Sequence, residues 1–296
     1  MSKKNDGAGL NSRLIRRPIQ RWAPLFILPV FAAFCIGFVW PFLQGIYLSF
    51  CTFNIPKDAK WVGLTNYSKI WTDVSFWNAF KNTAFFAVVS ILLINVLAFF
   101  IAYALTQKMR GSNLFRTVFF MPNLIGGILL GYIWQILLNG VLANLQKPLL
   151  ALDAKAGFVG LVILMCWQQI GYMMIIYIAG IQNIPTELIE AAEIDGCTNF
   201  KFLYTIGVPL IKPSLGALII YVFLQSWNYY LWPLLVTDSV NMRTVQIGLG
   251  MLQGAEATDF RPVMAGAMVI LIPSILVFII GQKQMISGLT AGAVKG

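Results

Sequence analysis

Two groups of residues in this chain have the types and spacing to do chemistry, and neither is a catalytic set. The first is acidic. Between Ile184 and Pro209 the chain reads IPTELIEAAEIDGCTNFKFLYTIGVP, which gathers Glu187, Glu190, Glu193 and Asp195 within nine residues. Pro185 suits a first helical turn, and Glu187 two positions on favours the positive end of a helix dipole. Leu188, Ala191, Ala192 and Asp195 recur at three- and four-residue intervals, and Gly196 breaks the segment. The spacing predicts a short helix with a small-residue face, followed by a bend. Two alanines permit close approach of another helix, and Glu190 offers an anchor for a basic partner group. The plainer reading is a solvated interfacial helix held by its own amphipathicity.

The second group is aromatic and amide. Trp227, Asn228, Tyr229, Tyr230 and Trp232 form one cluster. Sugar rings stack their apolar faces on aromatic rings while their hydroxyls need amide or hydroxyl partners, and Trp227 with Asn228 supplies both. Trp and Tyr also form an ordinary belt at a bilayer boundary, a role that Tyr229 and Trp232 fit. Trp167, Gln168, Gln169 and Tyr172 form a second cluster, and Tyr132, Trp134 and Gln135 a third. Amides are costly in lipid, so Gln168 and Gln169 should face a path or a neighbouring helix. Asn95 reads as structural. The chain has no His, and its four Cys are scattered at 35, 51, 166 and 197. Histidine-dependent catalysis is excluded, and the scatter argues against a disulfide framework or a structural zinc site. No GxxxxGK[ST] sequence occurs, so Gly126, Gly127 and Gly131 read as sites of close packing or bending rather than of phosphate binding. The chain itself is then not an enzyme.

The elements that position these residues are long and apolar. The 296 residues are 58% hydrophobic and only 11% charged, with a mean hydropathy of +0.76, where a soluble domain carries about a quarter charged residues. Uncharged runs cover 22–56, 82–107, 117–146, 156–186, 213–237 and 262–282. Each exceeds the roughly 20 residues that cross a bilayer as helix, and none alternates as a barrel strand would. The pattern predicts six helices, at about 22–50, 83–106, 118–138, 157–181, 210–235 and 263–282. Pro24, Pro29 and Pro41 should bend the first or mark an interfacial start. The segment 51–81 has mixed charge, and VGLTNYSKI followed by FWNAFKNT reads as an amphipathic surface section; Asn139–Gly140 reads as a turn, and 236–262 as a return outside. Residues 1–21 form a basic tail and 286–296 a small one, around a transmembrane domain at 22–285.

Six spans put both termini on one side. Basic residues divide 13 to 8 in favour of the side holding the termini, the short loop with Lys108, Arg110 and Arg116, and the 184–209 loop. Acids divide 5 and 6, for net charges of +8 and +2. That bias makes the first side cytoplasmic, although Lys57, Lys60, Lys69 and Lys81 on the other side weaken it. No Asp, Glu, Lys or Arg falls clearly within a predicted span, which lowers the case for an ion-driven carrier or a membrane hydrolase. Moving a solute without an ion relay requires energy from elsewhere.

Glu190-Ala191-Ala192, Gly196, Ile206 and Pro209 match the motif EAA-x3-G-x9-I-x-L-P, with Val208 where the pattern has Leu. Here the chain resembles the permeases of binding-protein-dependent ABC importers, in their carbohydrate-uptake branch of maltose-, lactose- and glycerol-phosphate-like systems. WVGLTNYSKIWTDVSFWNAFKN at 61–82 and FRTVFFMPNLIGGILLGYIW within 114–134 are similar to one of the two permease types of that branch, and WNYYLWPLLVTDSVNMRTVQIG at 227–248 to the other. The likeness spans about 20–285.

The resemblance implies an all-α integral membrane protein with the six-transmembrane-helix type I ABC importer permease core, in a bacterial or archaeal plasma membrane. It implies a coupling helix in the 184–209 loop, with Glu187, Glu190, Ala191, Ala192, Asp195, Gly196 and Pro209 at or near the ATPase contact. It implies as partners a second permease subunit, two ABC ATPase subunits that use MgATP, and an extracytoplasmic solute-binding protein. It implies as solute a sugar, a di- or oligosaccharide, with a phosphorylated polyol or other small polar nutrient as the alternative. The path candidates are Tyr132, Trp134, Trp167, Gln168, Gln169, Tyr172, Trp227, Asn228 and Tyr230. An ion-coupled secondary transporter would explain six spans but leave the acidic loop without a purpose; a ligand-gated channel or scaffold is a weaker third choice.

Overall fold

Several irregularities in the apolar runs lie at prolines, although Pro29 and Pro273 sit within continuous helices. The computed structural model describes residues 22–107, 109–239, 242–252 and 260–291; the basic tail 1–21, Lys108 and the last residues of the predicted C-terminal tail lie outside them. The first run is α1, Trp22–Ser49. Pro41 has no N–H to offer the carbonyl four residues back, and just before it the helix widens into a π turn at Cys35–Val39, where Trp40 N–H donates to the Cys35 carbonyl. A small unit follows: β1, Cys51–Thr52, pairs antiparallel with β2, Lys60–Trp61, and α2 covers Thr65–Thr72. Buried Asn66 ties it to α1 by donating to the Ser49 and Cys51 carbonyls, both at 2.9 Å.

α3 runs over Val74–Thr106. FWNAFKNT is thus its first part and not a separate surface section, because Asp73 caps the helix there by accepting Phe76 N–H at 3.0 Å. The third run is broken: α4, Ser112–Phe120, and α5, Gly127–Asn144, are separated by a 3₁₀ turn at Met121–Leu124 and by Gly126. Asn139–Gly140 is not a turn but lies inside α5, where the Asn139 amide oxygen accepts Leu150 N–H at 3.0 Å and holds the next loop back. α6 covers Ala154–Gln182, α7 Thr186–Ile194 and α8 Asn199–Phe202; α9 covers Lys212–Trp227, α10 Leu231–Val236, α11 Val245–Met251 and α12 Phe260–Ala291. The last helix therefore continues past 285. Five helices are long and apolar enough to cross a membrane, and Leu203–Leu210 with Lys212–Val236, bent by 68°, makes a sixth if counted as one span.

α3 and α6 lie side by side and parallel. Phe85 stacks on Phe158 near their starts, and Phe99 meets Tyr177 near their ends. Between them the core is Ile94, Ala98 and Ala102 against Met165, Met173 and Met174. Asn95 is structural as predicted: it accepts the Tyr177 hydroxyl and donates to the Ile91 carbonyl, both at 2.7 Å. α9 packs on α3 and α12, and α12 on α1. Glycines mark the close helix contacts, two of them most sharply. A Cβ on Gly171 would overlap the Phe119 carbonyl of α4, and one on Gly281 would overlap Ile220. Outward, Phe26, Val30 and Phe38 of α1 are exposed, a surface that suits hydrocarbon and not water.

The segment predicted as a simple return holds α11, docked on the bundle. Thr83 of α3 accepts Val245 N–H at 2.7 Å, and Gly248 lies against Ala79. Pattern reasoning could not see this helix because its partner is 162 residues away.

Candidate functional site

The stretch between α6 and α9 is a folded unit. α7 starts after Pro185 with Glu187 in its first turn. It ends in a Schellman closure, with Cys197 N–H on the Ala192 carbonyl at 2.8 Å and Gly196 N–H on that of Glu193 at 3.1 Å. Gly196 has φ +65°, and nothing lies within 4 Å of where a Cβ would stand. Glycine is required there by the backbone angle rather than by space. Glu187, Glu190, Ala191, Asp195 and Gly196 are exposed, as are Leu188, Ile194 at 87% and Tyr204 at 80%. Ala192 is the exception at 6%. Neighbours on a helix point about 100° apart, so Ala191 faces out while Ala192 seats α7 on its own chain.

Behind α7 a cavity of about 370 Å³ separates Ile189 and Glu193 from Tyr103, Gln107 and Gln182 at the ends of α3 and α6. The unit reaches α9 through a second π turn, Leu203–Gly207, where Val208 N–H donates to the Leu203 carbonyl just before exposed Pro209. The sequence feature is the one seen at Pro41: a proline removes a donor, and the turn before it re-registers.

The second surface lies on α9. Ser214, Leu218, Tyr221, Gln225 and Asn228 recur at three- and four-residue steps and share one face. At about 1.5 Å per residue the face extends roughly 21 Å. Tyr221 lies 5.4 Å, ring to ring, from Tyr172 of α6 and accepts Gln225 Nε2 at 3.0 Å. Gln246 of α11 donates to Asn228 Oδ1 at 3.0 Å. Gln168, one turn before Tyr172, is half-buried. A cavity of about 160 Å³ at the Ser214 end is bounded by Tyr172, Tyr221 and Met285. Exposed amides on a spanning helix face a polar path or another protein, not hydrocarbon. Sequence reasoning missed Tyr221 and Gln225, although their spacing to Asn228 was visible. Gln246 gave no signal, since only the docking of α11 brings it there.

The remaining path candidates scatter. Trp227 is 2% exposed; its indole N–H donates to the Ile270 carbonyl at 3.0 Å, and its ring stacks on Phe223 with Phe80 at its edge. The protein itself thus occupies the stacking positions expected for a sugar. Gln169 is buried, and its Oε1 has no hydrogen-bond partner among the described residues. Trp134 and Trp167 meet edge to face at 5.1 Å, Tyr132 is exposed elsewhere on α5, and Gln135 donates to the Leu235 carbonyl at 2.8 Å. Tyr230 is exposed in the break between α9 and α10. Pro233 explains that break. Its ring would clash with the Tyr229 carbonyl four residues back, which instead accepts the Thr244 hydroxyl at 3.1 Å. Among the described residues no cluster of three or more His, Cys, Asp or Glu could hold a metal.

Residues 110–285 match the family described as binding-protein-dependent transport system inner membrane component. The chain belongs to that family. This permease is 36% identical over 233 residues to the "Probable starch degradation products transport system permease protein AmyD" of Thermoanaerobacterium thermosulfurigenes, covering 76% of this chain and 80% of that one. It is 31% identical to the arabinooligosaccharides transport system permease protein AraQ of Halalkalibacterium halodurans, with 81% and 82% covered. To the sn-glycerol-3-phosphate transport system permease protein UgpA of Agrobacterium fabrum it is 32% identical, with 65% and 67% covered. Its fold is that of a chain in the crystal structure of a bacterial alginate ABC transporter in complex with alginate pentasaccharide-bound periplasmic protein, with a TM-score of 0.74 at 17% identity, covering 90% of this chain and 94% of that one. The permease is a multi-pass membrane protein homologous to carbohydrate ABC importer permeases.

Proposed function

We propose that this permease is the membrane-spanning subunit of an ATP-driven importer for a neutral di- or oligosaccharide. An extracytoplasmic binding protein delivers the solute, and a separate pair of ATPase subunits hydrolyses MgATP. The observation that carries the reading is the exposed, closed helix α7, with Glu187, Glu190 and Ala191 outward and Gly196 turning the chain at φ +65°. Glu193 and Asp195 lie at the negative end of that helix, where its dipole disfavours acids. A basic groove on the ATPase would offset that cost. Leu188 and Ile194 supply apolar contact beside the charges. Ala192 acts from inside, holding α7 to its scaffold, and Pro209 with the π turn before it passes the motion to α9.

In this reading the bent pair is a single span. That makes six, of the type I arrangement, with both termini and α7 in the cytoplasm. The polar face of α9, with Gln168 and Tyr172, lines the solute path, and a second, different permease subunit supplies the opposite wall. AmyD and AraQ, named for oligosaccharide systems, support the sugar class. UgpA, named for sn-glycerol-3-phosphate, favours a phosphorylated polyol as the second reading. Against it, Arg243 bonds the Asp238 carbonyl and Arg261 the Thr52 hydroxyl, so each guanidinium already has a protein partner. The test is a ligand screen on the cognate binding protein, followed by ATP-driven uptake in the reconstituted complex. Sugar capture with uptake abolished when the ATPase is omitted is expected; uptake driven by an ion gradient without ATPase would remove the reading.

A further inference from the structure

A cavity of about 460 Å³ lies between α3 at Asn82, Phe85 and Phe86, the start of α6 and the chain leading into α11. Its walls are aromatic, Phe85, Phe86 and Phe158, and its polar members are Asn82, Lys155 and Thr244. Thr244 is already committed to the Tyr229 carbonyl. The Lys155 ammonium is exposed and has no hydrogen-bond or ion-pair partner among the described residues; only its backbone N–H is engaged, by Asp153.

The depth of the cavity follows from the charge pattern. Lys81 is the last charge before the uncharged run 82–107, and Lys155 the last before 156–186. The ammonium thus stands where charged chain gives way to apolar span, which is headgroup depth in a bilayer. From there the crevice opens onto apolar surface, with Phe85 60% and Val159 53% exposed, and Val88, Leu92 and Ile163 exposed farther along the same helices. A crevice with one free cation at its head and aromatic walls below is complementary to an amphiphile with an anionic head. A sugar would need amide and hydroxyl partners, but the Thr244 hydroxyl is committed to the Tyr229 carbonyl and Asn82 has a partner of its own. A zwitterionic headgroup would bring a second cation up to Lys155.

We propose that this crevice binds an anionic phospholipid, its phosphate on Lys155 and one acyl chain between Phe85, Phe158 and Val159. The residues assigned to the lipid lie on α3 and α6, and the site does not depend on the identity of the transported solute.

The experiment is native mass spectrometry of the full-length chain, alone and in its assembled transporter, after incubation with equal amounts of phosphatidylglycerol and phosphatidylcholine of matched acyl chains. One lysine at headgroup depth predicts about a five-fold preference for the anionic lipid. Lys155→Gln should bring that preference to parity, and Lys69→Gln, an exposed lysine outside the crevice, should leave it unchanged. Val159→Trp should reduce retention of both lipids by filling the groove. Equal retention by the unaltered chain, or a preference that survives Lys155→Gln, would overturn the proposal. So would lipid bound to the isolated chain but absent from the assembled transporter, which would assign the crevice to contact with another subunit.

Discussion

The α7 segment and the polar face of α9 carry much of this permease's exposed polar chemistry, and they are built in opposite ways. The α7 unit is contiguous: its acids, its small residues and its terminating glycine lie within eleven positions, Pro185 to Asp195, plus Gly196. Its shape is closed by its own backbone, through the two bonds at Gly196 and Cys197. The α9 face is assembled from three helices, with Tyr172 from α6, Tyr221, Gln225 and Asn228 from α9 and its margin, and Gln246 from α11. A local unit of this kind can move as a body while keeping its shape. A face shared by several helices changes whenever those helices shift. That pairing is what a machine needs if one region receives force and the other responds to it.

The largest effect should come from a change that removes both regions together. Gly171→Val drives a branched side chain into the Phe119 backbone, which cannot yield as a side chain would. Overpacking typically costs about 1–3 kcal/mol, and here the upper end or more is expected. Thermal unfolding in detergent should show a clear fall in stability, with ATPase association and solute uptake lost in parallel.

Next comes Gly196. Gly196→Val must hold a β-branched residue at φ +65°, at a cost of about 1–2 kcal/mol or more, and should lower uptake about ten-fold or further. Gly196→Asn, whose side chain tolerates that angle, should keep most activity. Equal loss in both would show that the position is sensed by contact and not by backbone shape. Neither variant should alter which solute is transported.

On the α9 face, Gln225→Leu removes the amide that holds the Tyr221 hydroxyl. A neutral hydrogen bond contributes about 0.5–1.5 kcal/mol, so uptake should fall roughly three- to ten-fold, with ATPase association intact. A variant that weakened ATPase binding equally would dissolve the distinction between the two regions.

The smallest effect on uptake should be that of Thr83→Val: it leaves Val245 N–H without its buried acceptor, but the cost of about 1–3 kcal/mol falls on the docking of α11 and on neither of the two regions compared. Hydrogen exchange at Val245 and Ile247 should rise, while exchange in the α3–α6 core stays unchanged. Faster exchange throughout would mean that α11 is part of the main cooperative unit.

Much of the fold was legible because its signals are local. Run length and the absence of charge announced the spans, Asn95 read as structural, and the acidic loop with its glycine announced α7. What misled was also local. Asn139–Gly140 has turn chemistry, yet Asn139 serves as an acceptor for Leu150 from inside α5. Trp227 has the composition of a sugar-stacking residue, yet Phe223 and Phe80 already occupy its ring.

By itself, then, the sequence determined that the chain crosses a membrane repeatedly, where most of its apolar helices lie, and that one acidic helix ends at Gly196. Each of these rests on neighbours within a few turns, and hydrophobic run length, capping and backbone angle act over that range. Only the tertiary structure decided which residues face outward. It turned Ala192 inward and Ala191 out, buried Trp227 under α12, and brought Gln246 to Asn228 across an intervening break. Those outcomes depend on contacts between segments far apart in the chain, whose free energy is set by packing and by the partner each polar group finds.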